Sequence, residues 1–128
     1  MLKLDGVSRA EKIQMALHGT PEQRDAVLRD RDRTLHTFVL KNPQLSAEDV
    51  ATIARNAQMI PEVLKQIAQN RDWIQHPLIA LALARNPRTP PELAVRALDY
   101  VPADALRQMA KGLGVLPHIT EAARKLLP

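Results

Sequence analysis

The 128-residue chain contains no cysteine. Disulfides, thiol nucleophiles and cysteine-held zinc or iron–sulfur centres are therefore excluded. Aromatic residues are nearly as scarce, with Phe38, Trp73 and Tyr100 making up the whole set. Three rings do not readily build a base-stacking platform or a lined pocket for a flipped base. The four glycines, at 6, 19, 112 and 114, are too scattered for a phosphate-cradling loop. No H-E-x-x-H, G-x-S-x-G or calcium-loop spacing occurs. The longest apolar run, Leu78 to Ala84, falls far short of the roughly 20 residues that cross a bilayer. The start, Met1-Leu2-Lys3-Leu4-Asp5-Gly6, lacks the apolar core of a signal peptide. The expectation is a cytoplasmic protein without membrane contact.

What is present points to helix. Apolar residues are 45% and charged residues 25%, so the chain has the means to bury a core. Ala, Leu, Arg, Gln and Glu dominate, and these lose little entropy in a helix. The net charge is +4, and it is unevenly placed. Residues 1–64 hold 9 basic and 9 acidic side chains, whereas residues 65–128 hold 9 basic against 5 acidic. Such an excess suits an acidic partner, although it also serves as a solubilising surface.

Comparison of the chain with itself shows repetition. Lys41-Asn42-Pro43-Gln44-Leu45-Ser46-Ala47-Glu48 matches Arg85-Asn86-Pro87-Arg88-Thr89-Pro90-Pro91-Glu92 at an offset of 44. Leu64-Lys65-Gln66-Ile67-Ala68 matches Leu106-Arg107-Gln108-Met109-Ala110 at 42. Thr20-Pro21-Glu22 matches Ile60-Pro61-Glu62 at 40. Caps and first-position prolines predict nine helices, near 8–18, 21–29, 32–41, 47–56, 61–69, 76–85, 90–99, 102–111 and 117–127. Ser8 with Glu11, Thr20 with Gln23, and Ser46 with Asp49 fit capping boxes. Asn42, Asn56, Asn70, Asn86 and Gly112 stand at helix exits, where left-handed backbone is tolerated.

Apolar spacing agrees. Leu35, Phe38 and Val39 share a face, as do Val50, Ile53 and Ala54, and Val63, Leu64 and Ile67. Leu78–Ala84 is apolar all round, which predicts a helix buried on every side. The first and last helices are one-sided, as terminal units of a solenoid must be, so the chain is expected to be complete and capped at both ends. The reading is an all-α, short right-handed α-solenoid in one domain, 1–128. Its register is a partial unit at 8–30, full units at 31–70 and 71–112, and a closing helix at 117–127.

The stretch Ala84-Arg85-Asn86-Pro87-Arg88-Thr89-Pro90-Pro91-Glu92-Leu93 resembles the core of the leucine-rich repeat variant, and Leu40-Lys41-Asn42-Pro43 echoes it. The unit of about 40 residues is similar to HEAT-like and armadillo-like three-helix repeats. The chain also resembles a group of small, uncharacterised bacterial proteins. The shared segments are Asn70-Arg71-Asp72-Trp73, Asn86-Pro87-Arg88-Thr89-Pro90 and Ala122-Ala123-Arg124-Lys125-Leu126-Leu127. The unit is longer than the variant's usual repeat, and the cysteine cluster of its iron–sulfur members is missing. The resemblance thus implies a fold and no cofactor.

Candidate chemistry is sparse. His36, His76 and His118 recur at about one repeat, but equivalent positions on stacked helices stand roughly 8–10 Å apart, against metal–nitrogen bonds of about 2 Å. They read as surface or helix-start histidines, and no metal is expected. Asp30, Asp32 and Asp72 lie among Arg29, Arg31, Arg33 and Arg71, where local charge pairing explains them. Glu48, Glu62 and Glu92 fall in first helical turns, favoured by the helix dipole. Trp73, placed between helices, either plugs a junction with its N–H on a carbonyl or anchors a partner, and Tyr100 reads the same way.

The remaining candidates are Arg85, Arg88, Arg96, Arg107, Lys111, Arg124 and Lys125, which form a stripe if the fold aligns them. The leading reading is a non-enzymatic, monomeric scaffold holding a protein or peptide on a concave surface. Phosphate-backbone binding to nucleic acid through the basic second half stands behind it, and an enzyme with a groove-buried carboxylate stands last.

Overall fold

The computed structural model describes residues 2–128, and among them every regular element is helical. Contacts divide the chain into two compact units, Met1–Leu45 and Ser46–Pro128.

The first unit holds α1 (Arg9–His18), α2 (Pro21–Leu28), a 3-10 turn (Arg33–Leu35) and α3 (His36–Val39). The three α-helices pack on one another and bury Ala16, Val27, Leu35 and Val39. Ser8 caps α1 by accepting from the Glu11 N–H, and Thr20 and Gln23 form a reciprocal capping box on α2. The helix expected over 32–41 is shorter and begins as a 3-10 turn. The Asp32 carboxylate takes the Thr34 N–H at 3.1 Å and so holds that first turn tight. Gly19 closes α1 against α2. A β-carbon there would collide with the Met15 carbonyl and lie 2.8 Å from the Gln23 side-chain oxygen, so only glycine fits.

The second unit contains α4 (Ala47–Arg55), α5 (Pro61–Gln69), α6 (Arg71–Ile74), α7 (Pro77–Arg85) and α8 (Pro91–Ala97). A 3-10 turn (Leu98–Tyr100), α9 (Ala103–Ala110) and α10 (Pro117–Leu126) complete it. Prolines occupy the first position of α5, α7, α8 and α10, where the missing N–H has no helical partner to lose. Helix α4 lies along α7, α7 against α8, α8 against α5 and α10, and α9 against α10. Val50, Val63, Leu64, Ile67, Ile79, Leu83 and Met109 are sealed from solvent.

Three expectations need correction. The structure has ten α-helices among the described residues, not nine: α6 is a single turn nucleated by the Asn70 side chain, which accepts the Trp73 N–H at 3.2 Å. Trp73 therefore lies inside a helix. Helix α7 is not buried on every side, since Leu78 is 45% exposed and Leu81 is half-buried one turn further on.

The third correction concerns the asparagines. No residue other than glycine has positive φ among the described residues, so none of Asn42, Asn56, Asn70 and Asn86 uses left-handed backbone. They work through their side chains. Asn42 donates from Nδ2 to the carbonyls of Ala16 (3.1 Å) and Gly19 (3.3 Å) and accepts the Gln44 N–H at 2.9 Å. Asn86 repeats the arrangement, donating to Ala54 (2.7 Å) and Asn56 (2.9 Å) and accepting from Arg88 (3.0 Å). Each asparagine is buried and ties its own loop to the end of an earlier helix, α1 for Asn42 and α4 for Asn86. Asn56, by contrast, is exposed, and its side chain makes only the local bond to the Gln58 N–H.

Asn86→Ala should cost about 2–3 kcal/mol, because it strands the buried Ala54 carbonyl and the Arg88 N–H and takes one of two donors from the Asn56 carbonyl. Asn86→Asp should cost no less, since a carboxylate accepts from Arg88 but repels both carbonyls. Asn56→Ala should cost under about 1 kcal/mol. Urea unfolding midpoints at constant m distinguish the three.

Candidate functional site

In the first unit two ion pairs form between α1 and the loop after α2. Lys12 on α1 lies 2.7 Å from the Asp30 carboxylate, and Arg9 lies 3.4 Å from that of Asp32. These pairs bridge from α1 to the loop after α2, so the local pairing expected among neighbouring arginines is not what forms. The Lys12 ammonium holds the Asp30 carboxyl below the usual range, and the Thr34 hydroxyl does the same for Asp32. A cleft of about 550 Å³ runs beside this cluster, lined by Leu2, Leu4, Asp5, Lys12, Arg29 and Asp30 among others. It carries both signs of charge.

His36 is buried in the same unit, not at the surface. Its Nε2 donates to the Asp30 carbonyl at 3.1 Å, which leaves the buried Nδ1 without a partner. Burial pushes the imidazole below the ordinary histidine range, against the opposing pull of that hydrogen bond. His76 caps α7 by accepting the Leu78 N–H on Nδ1, and His118 lies exposed in the first turn of α10. Among the described residues no group of three or more His, Cys, Asp or Glu is placed to hold a metal ion. No helix among them is long and apolar enough to cross a membrane.

The second unit is different. One cleft, of about 260 Å³, is lined by Arg55, Leu78, Leu81, Ala82, Arg85 and Asn86. Arg55 and Arg85 are the last residues of α4 and α7, so the pairing of those helices brings both arginines to the cleft that exposed Leu78 lines, and Arg55 donates there to the Thr52 hydroxyl at 3.1 Å. A second cleft, of about 400 Å³, is lined by Ala68, Gln69, Arg71, Ile74, Gln75, Arg96 and Tyr100. No acidic side chain lines either cleft.

The basic candidates are thus divided. Arg96 and Tyr100 come together, while Arg85 belongs to the other cleft. Arg88, Arg107 and Lys111 are exposed but line neither. Arg107 lies in α9 and Lys111 caps its C-terminal end, four residues on. Arg124 donates from Nε to the Ala110 carbonyl at 2.8 Å, closing the end of α9, and Lys125 pairs with Glu121 at 4.0 Å. Trp73 is half-buried and lines neither cleft.

Four residues were not foreseen as site residues: Arg55, Arg71, Leu78 and Leu81. The signal for Arg55 was present, since Ala54-Arg55-Asn56 recurs as Ala84-Arg85-Asn86 thirty residues later. Arg71 has no comparable mark, because only the placement of α6 brings it to Arg96. No family model matches the chain, and no curated protein or solved structure matches it either.

Between pH 6.5 and the lower native value of His36, the unfolded chain binds a proton that the folded one does not. Stability should therefore fall as the pH is lowered through that window. Below 3.8, loss of the Asp30 and Asp32 charges should remove more. Urea midpoints measured from pH 7.5 downwards should show both steps. His36→Gln, which keeps an N–H for the Asp30 carbonyl, should flatten the first.

Proposed function

We propose that this chain is a non-enzymatic interaction module, a short α-solenoid of HEAT-like three-helix units that holds a protein or peptide partner. The observation that carries the proposal is the cleft of Leu78, Leu81, Arg55 and Arg85. An apolar side chain left 45% exposed on a largely apolar helix, in a cleft that two arginines also line, has the composition of a recognition surface. Leucine supplies area to bury, and arginine supplies planar donors that tolerate partial burial.

A scaffold role is also supported by what occupies the carboxylates. Asp30 and Asp32 are engaged with α1, and Glu48, Glu62 and Glu92 stand in first helical turns as dipole partners. The proposal carries with it a monomer acting in the cytoplasm. The nucleic-acid reading loses ground because Arg88, Arg107 and Lys111 do not join the other arginines in either cleft.

Selection of a random peptide library on the folded chain, followed by calorimetry on the enriched sequences, tests this reading. Peptides binding one to one are expected, and Leu78→Glu should weaken them by about tenfold, or about 1.4 kcal/mol, with little change in stability. No enrichment, together with binding to a 20–30-base-pair duplex that persists near physiological salt, would replace this reading with phosphate-backbone recognition.

A further inference from the structure

We infer that the second cleft, formed by Arg71, Arg96 and Tyr100, is a receptor for an acidic peptide segment, taking an aspartate or glutamate carboxylate between its two guanidinium groups. The inference rests on the reading of the chain as a peptide-binding module and adds the chemistry of the partner.

Arg71 begins α6 and Arg96 lies near the end of α8, so nothing local requires them to meet. The packing of α5 on both α6 and α8 brings them to one cleft. Both are exposed, and neither is in an ion pair among the described residues. The two arginines repel one another across a partly enclosed space that no carboxylate of the chain shares. A bound carboxylate would relieve that repulsion and accept from both forks at once.

The rest of the lining fits the same guest. Gln69, Gln75 and Tyr100, which also line the cleft, carry further donor groups, and buried Ile74 adds apolar lining. About 400 Å³ accommodates an acidic side chain with an apolar neighbour. A nucleic-acid backbone is a poorer guest, because successive phosphates need a row of cations and only two line this cleft.

The test is fluorescence anisotropy on the full chain near physiological salt. Three labelled probes are used: a peptide of about twelve residues alternating glutamate and leucine, its glutamine–leucine counterpart, and a 20–30-base-pair duplex. The glutamate peptide should bind and the glutamine peptide should not. Arg71→Glu and Arg96→Glu should each weaken binding by about tenfold or more, and Arg96→Lys by less, because lysine keeps the charge but loses the fork. Arg107→Glu, which reverses an equal charge outside the cleft, should change affinity by no more than about twofold. Thermal unfolding of each variant shows that the fold is kept.

Equal binding of the two peptides, or loss of affinity no greater for Arg71→Glu and Arg96→Glu than for Arg107→Glu, would overturn the assignment. So would a duplex that binds more tightly than the glutamate peptide through the same two arginines. If library-selected peptides bind through Leu78 while the glutamate peptide does not bind, the assignment fails and the interaction module stands. If no peptide binds at all, both fail.

Discussion

The structure depends on how the carbonyls at the ends of its helices find donors. No α-helix among the described residues exceeds ten residues, a length at which an isolated helix is marginal in water. Each must therefore be held by its neighbours, and its last carbonyls need partners from elsewhere in the chain. Asn42 and Asn86 supply them. One carboxamide donates two hydrogen bonds to a preceding helix end and accepts one from its own loop. Burial raises what is at stake, because a stranded carbonyl there has no water to turn to. At the end of α1 the Gly19 carbonyl accepts from both Asn42 and buried Arg24, so α2 is tied to the same point.

The same device sets the functional geometry. Asn86 fixes the end of α7 to the end of α4, and the residue just before each of those ends is an arginine. Arg55 and Arg85 consequently share a cleft that Leu78 and Leu81 also line. The two units treat charge in opposite ways. In the first, Lys12 and Arg9 are in ion pairs with Asp30 and Asp32. In the second, four arginines gather in two pairs with no carboxylate lining either cleft. Guanidinium groups beside apolar side chains, without an acidic partner, are the feature that separates a recognition surface from a merely solvated one.

The helices were legible because their signals are local. Proline at a first position and Ser or Thr accepting an N–H three residues on act within one turn, and so the bounds of α2, α4, α5, α7 and α10 follow closely from residue order. Helix α6 escaped because a single turn has too few residues to show a period, and its cap, Asn70, also ends α5. The apolar run of α7 misled for a related reason. Composition cannot say that one edge of an all-apolar helix will lack a neighbour, and Leu78 lies on that edge.

Residue order by itself determined that the chain is helical, where most helices start, and that the Asn-Pro loops at 42 and 86 are equivalent. These depend on contacts within a few residues or on direct self-similarity. Only the tertiary structure decided what the asparagines do, that His36 is buried with one nitrogen unpartnered, and which arginines meet. Arg71 and Arg96 are twenty-five residues apart on helices with no local reason to associate. Their encounter is a consequence of α5 packing against both α6 and α8. Long-range packing of this kind is set by the fit of whole helix faces, and no single residue or short motif encodes it.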